Sequence, residues 1–209
     1  EMCATGCPKP AMRSVEYASR HGVSLHVRSA FTWEPGTWIV EEEPDMEQAV
    51  IRGITHDPSQ AKVTVASLPD RPGVAGTLFR SLAERQDMIV QNTSEDHKTD
   101  ISFTVPHDEL EATLAGVNGL LGELGASGVS ASSDIARVSV IGAGMKSHPG
   151  VAAAMFETLA ANEINIDMIS TSTIRISCVV AEADAERAVM VLHKRFGLGQ
   201  GDDAVEFGG

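Results

Sequence analysis

"VTVASLPDRPGVAGTLFRSLAE", residues 63–84, and "VSVIGAGMKSHPGVAAAMFETLA", residues 138–160, are written in one order: a β-branched strand, a loop, Pro-Gly, then an apolar helix. Val63 and Val138 stand 75 residues apart and Pro72 and Pro149 stand 77 apart, so the offset is close to constant, as in an internal repeat. The segments downstream of each copy repeat too. After the first, "MIVQNTS" and "DISFTVP" alternate as strands, "HDELEATLAGVNGLLGEL" has helical spacing, and "GVSASS" is a weak strand. After the second come "INIDMIST" and "TIRISCVVA", the helix "DAERAVMVLHKRFG", and a closing strand candidate, "DAVEF". The expected fold class is α+β, two tandem ferredoxin-like βαββαβ modules, each a four-stranded antiparallel sheet with two helices on one face.

"AVIRGITH", residues 49–56, is one strand too many for the first module, and "DAVEF" is extra to the second. One or both are expected to complete a sheet outside their own sequence neighbourhood. Upstream, "PAMRSVEYASRHG" predicts a helix closed by Gly22, and "VSLHVRS" alternates as a strand. The acidic run "EEEPDMEQ", residues 41–48, reads as a solvated linker. The expected division is residues 1–40 as a separate N-terminal piece, 41–48 as linker, 49–133 as the first module and 134–209 as the second.

Composition narrows the function classes. With 43% apolar residues the 209-residue chain can bury an ordinary core, and its net charge of −13 speaks against nucleic acid and anionic membranes as partners. No apolar run approaches a membrane span and no signal pattern opens the chain, so a cytoplasmic protein is expected. Cys3, Cys7 and Cys178 form neither a disulfide framework nor a zinc pattern. Opening on Glu1 rather than Met is what a piece of a longer chain would do.

Catalytic signatures are missing from the sequence: there is no phosphate-cradling P-loop, dinucleotide fingerprint, nucleophile elbow or zinc-protease motif. No catalytic and no metal-binding residue is assigned. "IGAGMKSHPG" follows a strand and opens a helix, a geometry suited to a small carboxylate, although an ordinary strand-to-helix turn is the commoner form. His148 in that loop fits capping or packing better than general base work, and Lys146 fits a solvated surface better than a counter-ion. Gln91–Asn92 and Asn165–Asp167 are polar interruptions at strand starts, readable equally as turn chemistry or as donors to a zwitterion.

Taken together, "AKVTVASLPDRPGVAGTLF", "TDISFTV", "GAGMKSHPGV", "EINIDMISTSTIRIS" and "VLHKRFGLG" resemble the paired ACT domains at the C-terminal end of aspartate kinases. The likeness extends to "ATGC" and "RSVEYASRHGVSLHVRSAF", which resemble the closing helix and strand of that family's amino-acid-kinase lobe. The resemblance implies a regulatory, β-subunit-like chain of the aspartate-family biosynthetic pathway, binding L-lysine and/or L-threonine between ACT modules, dimerising through them, and acting on a catalytic aspartate kinase subunit. Carried over, the effector positions are Asp70, Arg71, Pro72, Gly73, Ala75, Asp87 and Gln91 in the first module, and Met145, Val151, Ala152, Asn165, Ile166 and Ser172 in the second. ATP and Mg would belong to the missing catalytic lobe; no cofactor is expected in this chain. The alternatives are a truncated aspartate kinase, active only with that lobe supplied, and an oligomerisation module with dead effector sites. One departure from the family is local: "LAERQDM" puts Leu82 and Met88 six apart, where Leu159 and Met168 in "LAANEINIDM" are nine apart. Three missing residues predict a weakened site at that turn of the first module.

Overall fold

The computed structural model describes residues 2–40, 51–82, 89–93, 98–142 and 150–199. The N-terminal piece holds a helix, α1 (Met12–Arg20), and a small hairpin of β1 (Leu25–Val27) and β2 (Thr37–Ile39). β2 carries too short an alternation to stand out in the sequence. His26 stacks on Trp38 across the hairpin and its Nε2 meets the Pro35 carbonyl at 2.7 Å. Otherwise this piece buries little. Ala18 is the buried residue of α1, while Phe31 and Trp33 are 97% and 93% exposed.

Two four-stranded sheets follow. The first orders its strands β5 (Ile89–Thr93), β6 (Lys98–Pro106), β4 (Gln60–Pro69), β7 (Gly128–Ser132), all antiparallel, with helices α2 (Val74–Ser81) and α3 (Leu110–Leu124). Period-2 alternation sends Ala61, Val63, Val65, Ile101, Phe103 and Val105 to the helical face, where they pack with Leu78, Leu82, Val117 and Leu124. Each buried Val, Ile, Phe or Leu side chain among them contributes about 1.5–3 kcal/mol relative to exposure.

The second sheet orders β3 (Gly53–Asp57), β8 (Ile135–Ile141), β10 (Arg175–Ala181), β9 (Met168–Thr171). Val138, Val140, Ile176, Cys178 and Val180 pack under helices α4 (Gly150–Ala161) and α5 (Ala185–Arg195) with Met155, Leu159 and Leu192. Burial pushes the Cys178 thiol up to about 12.

The extra strand expected from "AVIRGITH" is β3. Although it lies within residues 49–133, it pairs antiparallel with β8, with Gly53 opposite Ile141 and Asp57 opposite Arg137. It thereby stands beside β8 as β7 stands beside β4, in the position the tandem pattern would give to a final strand. The physical reason is visible in Ile54 and Ile51, which pack against the core of the second unit. "DAVEF" lies outside the described residues.

The first unit, β4 to β7, is thus inserted between β3 and β8 of the second. The non-helical faces of the two sheets meet: Val90 of β5 packs on Ile135, Met168 and Val179, and Lys62 of β4 pairs with Asp167. That face of the second sheet is polar and dry in its middle, where Ser139 and Ser177, both 0% exposed, share a hydrogen bond of 2.8 Å.

Candidate functional site

The loop from β4 to α2 carries five of the thirteen effector positions, and the fold wraps it around a cavity of about 510 Å³. Asp70, Arg71, Pro72, Gly73 and Ala75 line it, over a floor that includes Leu68, Thr99 and Ile101. The local sequence explains the shape. Gly73 takes φ +96° as the residue before α2, a left-handed conformation that side chains resist, so glycine is required there. Gly73, at the N-cap, has no side chain to cap the helix, and the first intrahelical bond from a backbone amide runs from Thr77 to the Gly73 carbonyl at 2.9 Å. The amides of Val74, Ala75 and Gly76 therefore lack intrahelical acceptors, and with the helix dipole they favour a carboxylate. Asp70 and Arg71 bring one charge of each sign to the same rim.

A β-bulge aims this loop, and sequence periodicity did not reveal it. Val65 sits opposite Ile101 and Leu68 opposite Thr99, so β4 has one residue more than β6 between those pairs. Ser67 takes up the excess at φ +55°, and its amide donates to Asp100 Oδ1 at 2.8 Å. Asp100 in "TDISFTV" was the available signal: a carboxylate inside an otherwise alternating strand. The bulge turns Leu68 and Asp70 towards the cavity that Thr99 and Ile101 share.

The remaining positions are spread out. Gln91 pairs with Ile101 in the β5–β6 ladder, which sets its backbone next to the cavity floor. Asp87 and Met145 lie outside the described residues, as does the shortened turn at 83–88 and most of "IGAGMKSHPG". In the second unit Val151 is fully buried and Ala152 partly so at the start of α4, and Ser172 stands in the β9–β10 turn at the same end of the sheet. Asn165 and Ile166 precede β9, at the opposite end, beside Asp167, whose amide donates to the Val179 carbonyl at 2.8 Å. Four residues of strand, about 13 Å, separate these two groups. One small ligand within one unit cannot touch both.

A larger cleft of about 690 Å³ is lined by His56, Asp134, Glu182 and Glu186 at the far end of the second sheet. Its three carboxylates repel an anionic group, and it contains none of the candidate positions; size here does not track chemistry. Among the described residues no group of three or more His, Cys, Asp or Glu is placed to hold a metal ion, and no helix is long and apolar enough to cross a membrane.

Comparison with known proteins agrees with this architecture. An ACT domain family model matches residues 138–196. The aspartokinase of Mycolicibacterium smegmatis is 47% identical over 217 aligned residues, covering 100% of this chain and 51% of its own length, so the chain spans about half of the curated relatives it matches. Among solved structures, one of aspartokinase alpha and beta subunits is 41% identical with a TM-score of 0.67, covering 70% of this chain and 99% of that one. The ligand-free regulatory subunit of aspartate kinase from Thermus thermophilus covers the same shares at 35% identity and a TM-score of 0.67. A likeness of this extent to whole regulatory subunits, joined to full coverage by whole kinases, makes this chain a member of the aspartokinase family that carries its regulatory ACT region.

Proposed function

We propose that the chain senses an aspartate-derived amino acid, L-threonine or L-lysine, and restrains a catalytic aspartokinase lobe or subunit accordingly. The observation that carries this reading is the coincidence of the 510 Å³ cavity with the Asp70–Ala75 turn. There the free amides at the start of α2 and Arg71 suit an α-carboxylate, Asp70 suits an α-ammonium, and Leu68 and Ile101 suit an aliphatic stem. The second-unit positions complete such a site only if a second copy brings Val151, Ala152 and Ser172, or Asn165 and Ile166, to the rim. This favours a homodimer joined at sheet edges, with β5, β7 and β9 terminal in their sheets. The exposed Phe31, Trp33 and Trp38 of the N-terminal piece suit cover by the catalytic lobe. Regulation is then linkage: an effector that binds one arrangement better, by about 1–3 kcal/mol, shifts the partner's activity about five- to 150-fold.

Calorimetric titration with L-threonine and L-lysine tests this directly. Saturable binding of at least one is expected, weakened about tenfold or more by Asp70→Ala, since each lost charge-assisted hydrogen bond costs about 1.5–3 kcal/mol. No binding of either, or binding indifferent to Asp70→Ala, would remove the effector reading and leave an oligomerisation module.

A further inference from the structure

The non-helical face of the second sheet has two tenants. Val90 of the first unit packs on Met168 of β9, Val179 of β10 and Ile135 at the start of β8. Over β3 and β8 lies the segment Met2–Gly6, which opens with a single 3₁₀ turn and leads on to α1. Its fit is close. Met2 lies over Gly53, where an added Cβ would stand 2.7 Å from the Met2 methyl carbon. Thr55 Oγ1 lies 2.9 Å from the Thr5 carbonyl and 3.0 Å from the Thr5 hydroxyl, and Thr5 is 0% exposed. Gly6 presses on β3 so tightly that any side chain there would overlap the His56 carbonyl, at 2.1 Å.

One cation joins this segment to the crossing between the units. Arg137, 1% exposed on β8, donates from Nη2 to Asp57 Oδ2 at 3.0 Å and approaches the Ala4 carbonyl at 3.4 Å. Asp57 in turn accepts from the Ser59 amide (2.9 Å), the Ser59 hydroxyl (2.5 Å) and Gln60 Nε2 (3.1 Å). Pro58 and Ser59 form the two-residue passage from β3 into β4, which Gln60 opens. A displacement of this passage is therefore felt at the Ala4 carbonyl through Asp57 and Arg137.

We propose that Met2–Gly6 is a releasable strap, clamped by Arg137, which couples the packing between the two ACT units to the helix–hairpin piece that follows it. Among the contacts that hold the strap, the long Arg137–Ala4 hydrogen bond, the Thr55–Thr5 pair and the two glycine approaches are all broken by a small shift. Arg137 is its positioning residue. The inference does not depend on which effector binds, or on whether one does.

Thiol labelling of the 209-residue chain, resolved by mass spectrometry, tests it. Cys3 and Cys7 are partly buried and flank the clamped residues, while Cys178 is buried in the core of the second unit and reports unfolding. Arg137→Met is expected to speed labelling of Cys3 about tenfold or more with Cys178 still protected, and Arg137→Lys to restore part of the protection. Thr55→Val, which keeps shape and removes the hydroxyl, should act in the same direction and decides the matter if Arg137→Met unfolds the chain. Coupling is read from Asp167→Ala, at the opposite edge of the sheet, which loosens the contact between units through Lys62. An exposed pair of this kind supports a two- to fivefold rise at Cys3, on the order of 1 kcal/mol or less. Cys3 rates within about twofold of wild type in Thr55→Val, or no change in Asp167→Ala, would overturn the proposal.

Discussion

Remove β3 from the second sheet and the C-terminal unit should fail, although residues 135–209 retain β8, β9, β10, both helices and the "DAVEF" segment. Loss of the strand strips Ile54 and Ile51 from that unit's core, each comparable to a large-to-small truncation of about 2 kcal/mol. It also bares β8, whose seven residues are all buried, along the edge where Gly53–Asp57 now pair. A loss of about 4 kcal/mol or more approaches the entire stability of a domain this small, or lowers Tm by roughly 20 °C. Two chains should be compared by thermal melting and by near-ultraviolet circular dichroism: residues 135–209 alone, and the same residues preceded by 51–57 and a flexible linker of about four residues, a common hairpin loop length. Asp57 and Arg137 are register partners, so such a hairpin reproduces the observed pairing without the inserted unit. The joined chain should melt cooperatively, and the bare fragment should melt far lower or associate through its open edge. Equal melting of the two monomers would refute the reasoning, because it would show that the C-terminal segment fills the place assigned to β3.

Other expectations are narrower. Asp100→Ala removes the acceptor that holds Ser67 at φ +55°, so stability should fall by about 1–2 kcal/mol in urea denaturation; adding Ser67→Gly should recover part of it, since glycine adopts that angle without strain. Additive effects of the two substitutions would show that Asp100 does not serve the bulge. The Asp57 carboxyl gives a pH dependence. Burial pushes it up, but the Ser59 hydroxyl and amide, the Arg137 charge and the Gln60 amide together hold it below its ordinary value of 3.8. A depressed carboxyl stabilises the fold above its unfolded value and loses that contribution as pH falls through the folded value, so Asp57→Asn should flatten the decline in stability below about pH 4. An unchanged acid limb would contradict this.

Legibility followed the range of the interactions. Helix periods and alternating strands are local, so the spacing of Val74, Leu78 and Leu82, or the run Val138–Val140, located α2 and β8 from sequence. The pairing of β3 was half legible: it could be counted as surplus, but Ile54 carries no mark saying which of two similar cores it enters. The bulge at Ser67 and the clamp at Arg137 were not legible, since each rests on residues distant in sequence, 33 positions for Asp100 and 80 for Asp57. In the candidate site, Asp70 to Ala75 came together because they are contiguous. Val151 and Asn165 did not, because one opens α4 and the other follows it, which places them at opposite ends of the sheet.

The handed-over strand also constrains how the two units can move. They are joined twice, by Pro58–Ser59 between β3 and β4 and by Ser133–Asp134 between β7 and β8. Both passages are pinned: the Ser59 amide and hydroxyl are held by Asp57, and the Asp134 carbonyl accepts the Glu182 amide at 3.1 Å. A single flexible linker would let one unit drift without consequence for the other. Two short passages at neighbouring strands instead leave rotation about the line between them as the soft motion, resisted by Val90 on Met168 and Val179 and by Lys62 on Asp167. If an effector binds at the start of α2 as proposed, the free energy it releases has few places to go. It must appear as a change in that interface, at the sheet edges where a second copy would pair, or in the Asp57–Arg137 contact that holds the N-terminal strap.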